Sequence, residues 1–489
     1  MGAIPAEIDA DAGPPMAIPL RHFVVGLAFL LIGAVVGVSA SVGVLPGQSA
    51  LAHVHLLLVG WVCVTIMGAM TQFVPVWSGT ALHSRWLART QLWAVSVGLA
   101  GFVASLLGGF YPWLPAFGAV MLLGFWLFVY NVGRTLLGVR PWDITERHFA
   151  IALGFFVVVT LFGVVLALGF THPMLADLPI TQRGLRESHA TLAIFGVVLT
   201  TVFGALYQLG TMFTQTALHG VDVHLRRIEA VGYPLGVVAL AAGRLFGHPE
   251  LAQIGGLLVI FGVASVGFIV GRRLFETHVE WNPMLRRYAV VVAAMLSWAV
   301  VTLPAWYADP LSPNATLGSP VGAHLLLVGV VGFVVVGTLY HVVPFIVWVH
   351  RYSDRLGFEA VPMIDDLYSD RLARFDLLAL GVGGGGLILG ELLSVLTSGV
   401  RASPSGFLGW SLASAVTVSG GVLATVGLAV FASNVSLTIY RHSPGSLWWR
   451  LRRTATGVDG DSTATTEAGG ATTSASIDPS NSPQSDDRD

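Results

Sequence analysis

The chain has 489 residues, 54% of them hydrophobic and only 11% charged, with a formal net charge of −2. That composition describes a membrane protein with many spans and excludes a set of soluble domains of the usual size. The single cysteine, Cys63, excludes a disulfide framework and thiolate metal clusters. All basic residues are arginine, and no nucleic-acid partner is expected.

Residues 1–20 carry Glu7, Asp9 and Asp11 and no basic residue. They lack the positive start of a signal peptide, which predicts a cytoplasmic segment followed by a retained first span. Apolar runs long enough to cross a bilayer then recur twelve times, at 21–43, 52–78, 90–110, 113–137, 147–170 and 187–215, then 227–246, 251–272, 286–307, 320–350, 375–398 and 405–440. Helices are expected, because an open strand leaves its backbone unsatisfied in lipid. Arginines cluster in alternate loops, for example Arg134, Arg140 and Arg147, or Arg351, Arg355, Arg371 and Arg374. The opposite loops carry mainly Arg183, Arg186 and Arg401. The positive-inside rule then places both termini in the cytoplasm of a multi-pass plasma-membrane protein. Residues 441–489 form a cytoplasmic tail. From about 454 it is Thr, Ser, Ala, Gly and Asp, with almost nothing to bury, and is expected to be disordered.

Three spans repeat one pattern. His53-Val54-His55-Leu56 through Gly60, His189-Ala190-Thr191-Leu192 through Gly196, and Gly322-Ala323-His324-Leu325 through Gly329 align. The match continues at Gly68, Gly204 and Gly337, and at Gln72, Gln208 and His341. His53 aligns with His189, and His55 with His324. The pattern sits at spans 2, 6 and 10, which implies three units of four helices. Ionisable groups inside a span are costly and are functional candidates.

Spans 2, 6 and 10 begin on the outer side, so these four histidines share one depth. Neutral imidazole ligates iron, copper and zinc. Two histidines from facing helices can hold a haem iron from both sides, while one leaves a position open for oxygen or nitric oxide. The plain alternative is that each histidine hydrogen-bonds a neighbouring helix. His172 and His248 each precede a proline and read as helix-end residues on the same side. His341 lies about 25 Å further along its helix than His324, and a packing role is expected. Arg401, Arg183 and Arg186 are candidate partners for haem propionates. Glu187 is placed to orient His189 or accept protons. Glu391, inside span 11, is a candidate proton carrier. The run Gly383–Gly386 permits close helix packing.

Together these features resemble subunit I of the haem-copper oxidases, including the large subunit of nitric oxide reductase. The resemblance covers residues 21–440. It implies an all-α polytopic fold of twelve transmembrane helices in three pseudo-symmetric four-helix units. It also implies a low-spin, b-type haem held by His53 or His55 in span 2 and by His324 in span 10. His189 is similar in place to a copper-ligating histidine, with His248 as a partial substitute for missing ligands. The chain departs from the family where Gly322 replaces the high-spin haem ligand. The His-His pair of span 7 is also absent, so the reductase centre is incomplete. A second resemblance is to the NnrS family of haem- and copper-containing proteins linked to nitric oxide stress. It rests on His53-Val54-His55 and on Val74-Pro75-Val76-Trp77-Ser78-Gly79.

The expected function is electron transfer from a quinol or a small redox protein, with a small accessory subunit as a further partner. Reduction of oxygen or nitric oxide is left open. The alternatives are a non-enzymatic haem or copper protein of the NnrS type, and a metal or small-solute transporter.

Overall fold

The computed structural model describes residues 14–397 and 411–443. Arg401 and the tail beyond Ser443 lie outside the described residues. Among the described residues, twelve helices are long and apolar enough to cross a membrane. Spans 1 to 6 are Ala17–Ser41, Ser49–Trp77, Arg85–Gly108, Tyr111–Leu137, Ile144–Leu168 and Gln182–Thr214. Spans 7 to 12 are Val221–Phe246, Pro249–Phe275, Pro283–Ala308, Leu325–Arg351, Asp370–Thr397 and Leu412–His442. No strand forms among the described residues, only one isolated bridge between Leu356 and Glu359.

Local chemistry sets the helix ends. Asp143 and Glu146 form a reciprocal cap at the start of span 5, and Thr181 accepts from Gly184 N–H at the start of span 6. Span 7 ends on Gly247 in the left-handed region, and His248 then caps span 8 ahead of Pro249. Large apolar side chains such as Trp93, Leu123, Trp126, Phe261 and Leu378 point outward. A surface of this kind suits lipid contact rather than water.

Spans 6 and 10 are the most enclosed, with 83% and 72% of their apolar windows buried. Spans 2, 6 and 10 each contain an eight-residue π-helical segment: Leu56–Cys63, Leu192–Leu199 and Leu325–Gly332. The three begin at equivalent residues of the repeat. Such widened turns rotate the side chains before them relative to those after, and are frequent at functional sites.

The repeat also extends into the preceding spans, where periodicity alone did not show it. A Cβ on Gly68 would meet His22 and Phe23 of span 1; one on Gly204 would meet His148 and Phe149 of span 5. One on Gly337 would meet Arg287 and Tyr288 of span 9. Each of these glycines lets the two helices of a pair approach closely. At the later two crossings the polar residue takes up a carboxylate. His148 Nε2 lies 3.2 Å from Glu229 of span 7, and Tyr207 donates to the same carboxylate at 2.6 Å. In the next repeat Arg287 pairs with buried Asp376 of span 11, to which Tyr340 also donates.

Spans 11 and 12 are packed through the glycine run. A Cβ on Gly383 would sit 2.5 Å from the Ala424 backbone nitrogen, and one on Gly386 would sit 3.0 Å from Gly420 Cα. Gly385 faces open space. Gly383→Leu is therefore expected to cost about 1–3 kcal/mol through overpacking. Gly385→Leu is expected to leave the melting temperature unchanged. Thermal unfolding of the two variants in detergent checks this.

Candidate functional site

Four histidines lie at the ends of the bundle where spans 2, 6 and 10 begin, and each has its Nδ1 engaged. His53 Nδ1 lies 2.8 Å from Gly33 O of span 1. His189 Nδ1 lies 3.0 Å from Val159 O of span 5. His55 Nδ1 lies 2.9 Å from Leu51 O, one turn back on its own helix. His324 Nδ1 lies 2.6 Å from Glu391 Oε1 of span 11. A carbonyl oxygen only accepts, so Nδ1 carries the proton in His53, His55 and His189. In the neutral ring, Nε2 then presents a lone pair. Tying down one ring nitrogen in this way orients metal-ligating histidines generally.

Glycines make room for the rings. The His53 imidazole lies over Gly37, where any Cβ would collide with it, and the His189 imidazole lies over Gly163, whose Cβ would be 3.2 Å from Cε1. Gly33 with Gly37, and Val159 with Gly163, are each one helical turn apart. The two aligned histidines therefore sit on the same kind of platform in the span before their own.

The rings fall into two pairs. His53 and His324 are within electrostatic reach of each other, as are His189 and His55. His53 and His55, two residues apart on one helix, thus serve different pairs. Among the described residues no three His, Cys, Asp or Glu side chains are grouped to hold an ion. His248 stays at the exposed start of span 8, outside both pairs. His341 packs between Phe213 and Phe345, in the role its depth implied.

Glu187 does not orient His189: its Oε1 accepts from Arg183 Nε at 2.8 Å, and the Val159 carbonyl does the orienting. Arg183 also donates to Leu311 O at 2.6 Å, so it is committed to neighbouring protein groups. Glu391, read in sequence as a proton carrier, is bonded to His324. Its Oε2 is buried with no hydrogen-bond partner.

The repeat has a third meeting place, and it is filled. The counterparts of the two histidine positions there are Gly322 and Thr191. Trp298 lies against Gly322 and packs edge-on to Trp306, with ring centroids 5.5 Å apart; Phe195 is 5.6 Å from both. Their indoles donate to Leu317 O at 2.8 Å and Ala315 O at 2.7 Å. Buried Arg244 closes this region. It donates to Thr191 Oγ1 at 2.7 Å and to the carbonyls of Pro310, Ala315 and Thr316, and lies over the Trp306 ring. Sequence reasoning missed Arg244, although an arginine inside an apolar run is a visible signal.

Arg244→Ala would leave the Thr191 hydroxyl and these carbonyls short of a buried donor, at a cost of about 3 kcal/mol or more. Arg186→Ala, on an exposed side chain, is expected to change stability by less than about 0.5 kcal/mol. Melting curves of the two variants test whether the third position is a structural plug.

No protein-family model matches the chain, and comparison with curated proteins finds no match.

Proposed function

We propose that this is a membrane electron-transfer protein that holds a low-spin haem between His53 of span 2 and His324 of span 10, similar to subunit I of the haem-copper oxidases. The observation that supports it is the pair itself. Two imidazoles from separate helices lie within electrostatic reach of each other, each with Nδ1 engaged, and His53 Nε2 bears a lone pair. A haem held by two histidines supplies a one-electron carrier with no open coordination position.

The protein's own groups have distinct tasks in this reading. The Gly33 carbonyl fixes the tautomer and tilt of His53, and Gly37 gives its ring room. Glu391 accepts a hydrogen bond from His324 Nδ1–H and makes that imidazole the more basic ligand. In place of a second ligand set, the third meeting place holds Trp298, Trp306 and Phe195. That favours electron transfer over reduction of oxygen or nitric oxide at that place. Arg401 remains a candidate propionate partner by sequence. The coincident π-helical segments and the repeated glycine crossings support three pseudo-symmetric units. Arginine placement supports a plasma-membrane protein with cytoplasmic termini. The electron donor would be a quinol or a small redox protein, with a small accessory subunit alongside.

A non-enzymatic protein of NnrS type is the second reading, and the same filled position favours it. Rapid reduction by a quinol would support electron transfer; haem that binds stably but is not reduced by any quinol would support the second.

The reduced-minus-oxidised spectrum of the purified protein is expected to show sharp low-spin haem bands that carbon monoxide does not shift. His324→Ala is expected to lose about one haem equivalent. Glu391→Gln is expected to keep haem and raise its midpoint potential, because a neutral acceptor supports the oxidised iron less well. A protein that purifies without haem, or bands that shift fully with carbon monoxide, would sink the proposal.

A further inference from the structure

The two histidine pairs are the same construction at two places. His53 and His189 are repeat counterparts, each set on a platform in the preceding span. His55 and His324 are the other counterparts. Each pair contains one histidine of each kind, the first from one repeat and the second from another. His189 with His55 thus presents, like His53 with His324, two imidazoles from separate helices with Nδ1 engaged, although His55 has a carbonyl where His324 has the Glu391 carboxylate.

The second pair opens on a cavity among spans 2 to 6 that holds about 710 Å³ of space free of atoms, its open mouth included. The walls include Phe102, Met121, Phe125 and Phe156, so the space is apolar apart from the imidazoles, Thr160 and Cys63. The Thr160 hydroxyl donates to Phe156 O at 2.8 Å and accepts from Trp126 Nε1 at 3.1 Å, so it does not compete. Cys63 lies two turns along the helix from His55, too far to share an ion with it.

We propose that His55 and His189 are the axial ligands of a second haem, seated in this cavity at the repeat counterpart of the His53–His324 site. This rests on reading the first pair as a haem site. Two neutral nitrogen donors are few for a bare ion, and no third protein ligand is grouped with them among the described residues. A porphyrin brings its own four nitrogens and an apolar rim that matches the walls. Both Nε2 lone pairs point to a ligand that needs only axial donors.

The test is haem and iron per chain in the full-length protein purified from haem-replete cells, with a redox titration of its absorbance. Two haems and two one-electron transitions are expected. His189→Ala should fall to one haem and lose one transition. Ala193→Phe, which fills the cavity and keeps both imidazoles, should do the same. His324→Ala should lose the other transition. One haem in the wild type, kept by both cavity variants and lost by His324→Ala, would overturn the second site and leave the first. One haem lost by the cavity variants and kept by His324→Ala would overturn the first instead. Two haems that both survive Ala193→Phe, or none at all, would overturn this proposal. Should His189→Ala fail to fold, the wild-type count and Ala193→Phe still decide.

Discussion

Everything at the site depends on one kind of contact, the hydrogen bond from an imidazole Nδ1 to an acceptor at the end of the bundle where spans 2, 6 and 10 begin. A buried histidine in an apolar span is costly unless its polar atoms are satisfied. Here one nitrogen is satisfied by a carbonyl or carboxylate. The bond from His53 to Gly33 and that from His189 to Val159 reach the preceding span, so they tie a helix pair together and fix ring orientation at once. The glycine one turn further along, Gly37 or Gly163, is what allows the ring to lie flat against that span.

The same pairing of spans carries the packing at the far end. Gly68, Gly204 and Gly337 receive His22, His148 and Arg287, and the later two repeats add a buried carboxylate, Glu229 or Asp376. Removing one member of such a buried pair strands the other, which makes these crossings rigid. The widened π turns lie between the two ends. In spans 2 and 6, His53 or His189 at one end and Gly68 or Gly204 at the other face the same preceding helix across some 20 Å of span.

The repeats diverge at the histidine positions. Two meeting places keep a histidine pair. The third has Gly322 and Thr191, and Trp298, Trp306, Phe195 and Arg244 occupy the space. An arginine so buried, with Nε, Nη1 and Nη2 all donating to protein oxygens, is a packing element and not a ligand for an incoming anion.

The spans were legible because crossing a bilayer demands about 20 apolar residues, and that demand is written locally. The repeat was legible for the same reason, since His53, His189 and His324 each open an apolar run before a conserved spacing of glycines. Close helix packing through Gly383 could also be read from the sequence, because small residues inside a span have few other uses. Pairing was not legible. Whether His324 meets His53 or His55 depends on which side of span 2 faces span 10, and two residues of helix turn a side chain by about 200°. Nor could sequence tell that Glu391 bonds His324 while Glu187 bonds Arg183, because the first contact joins residues 67 apart on different helices. Local composition thus determined the elements and their register. The tertiary fold alone decided which polar atoms meet, since that follows from helix rotation and contact across spans.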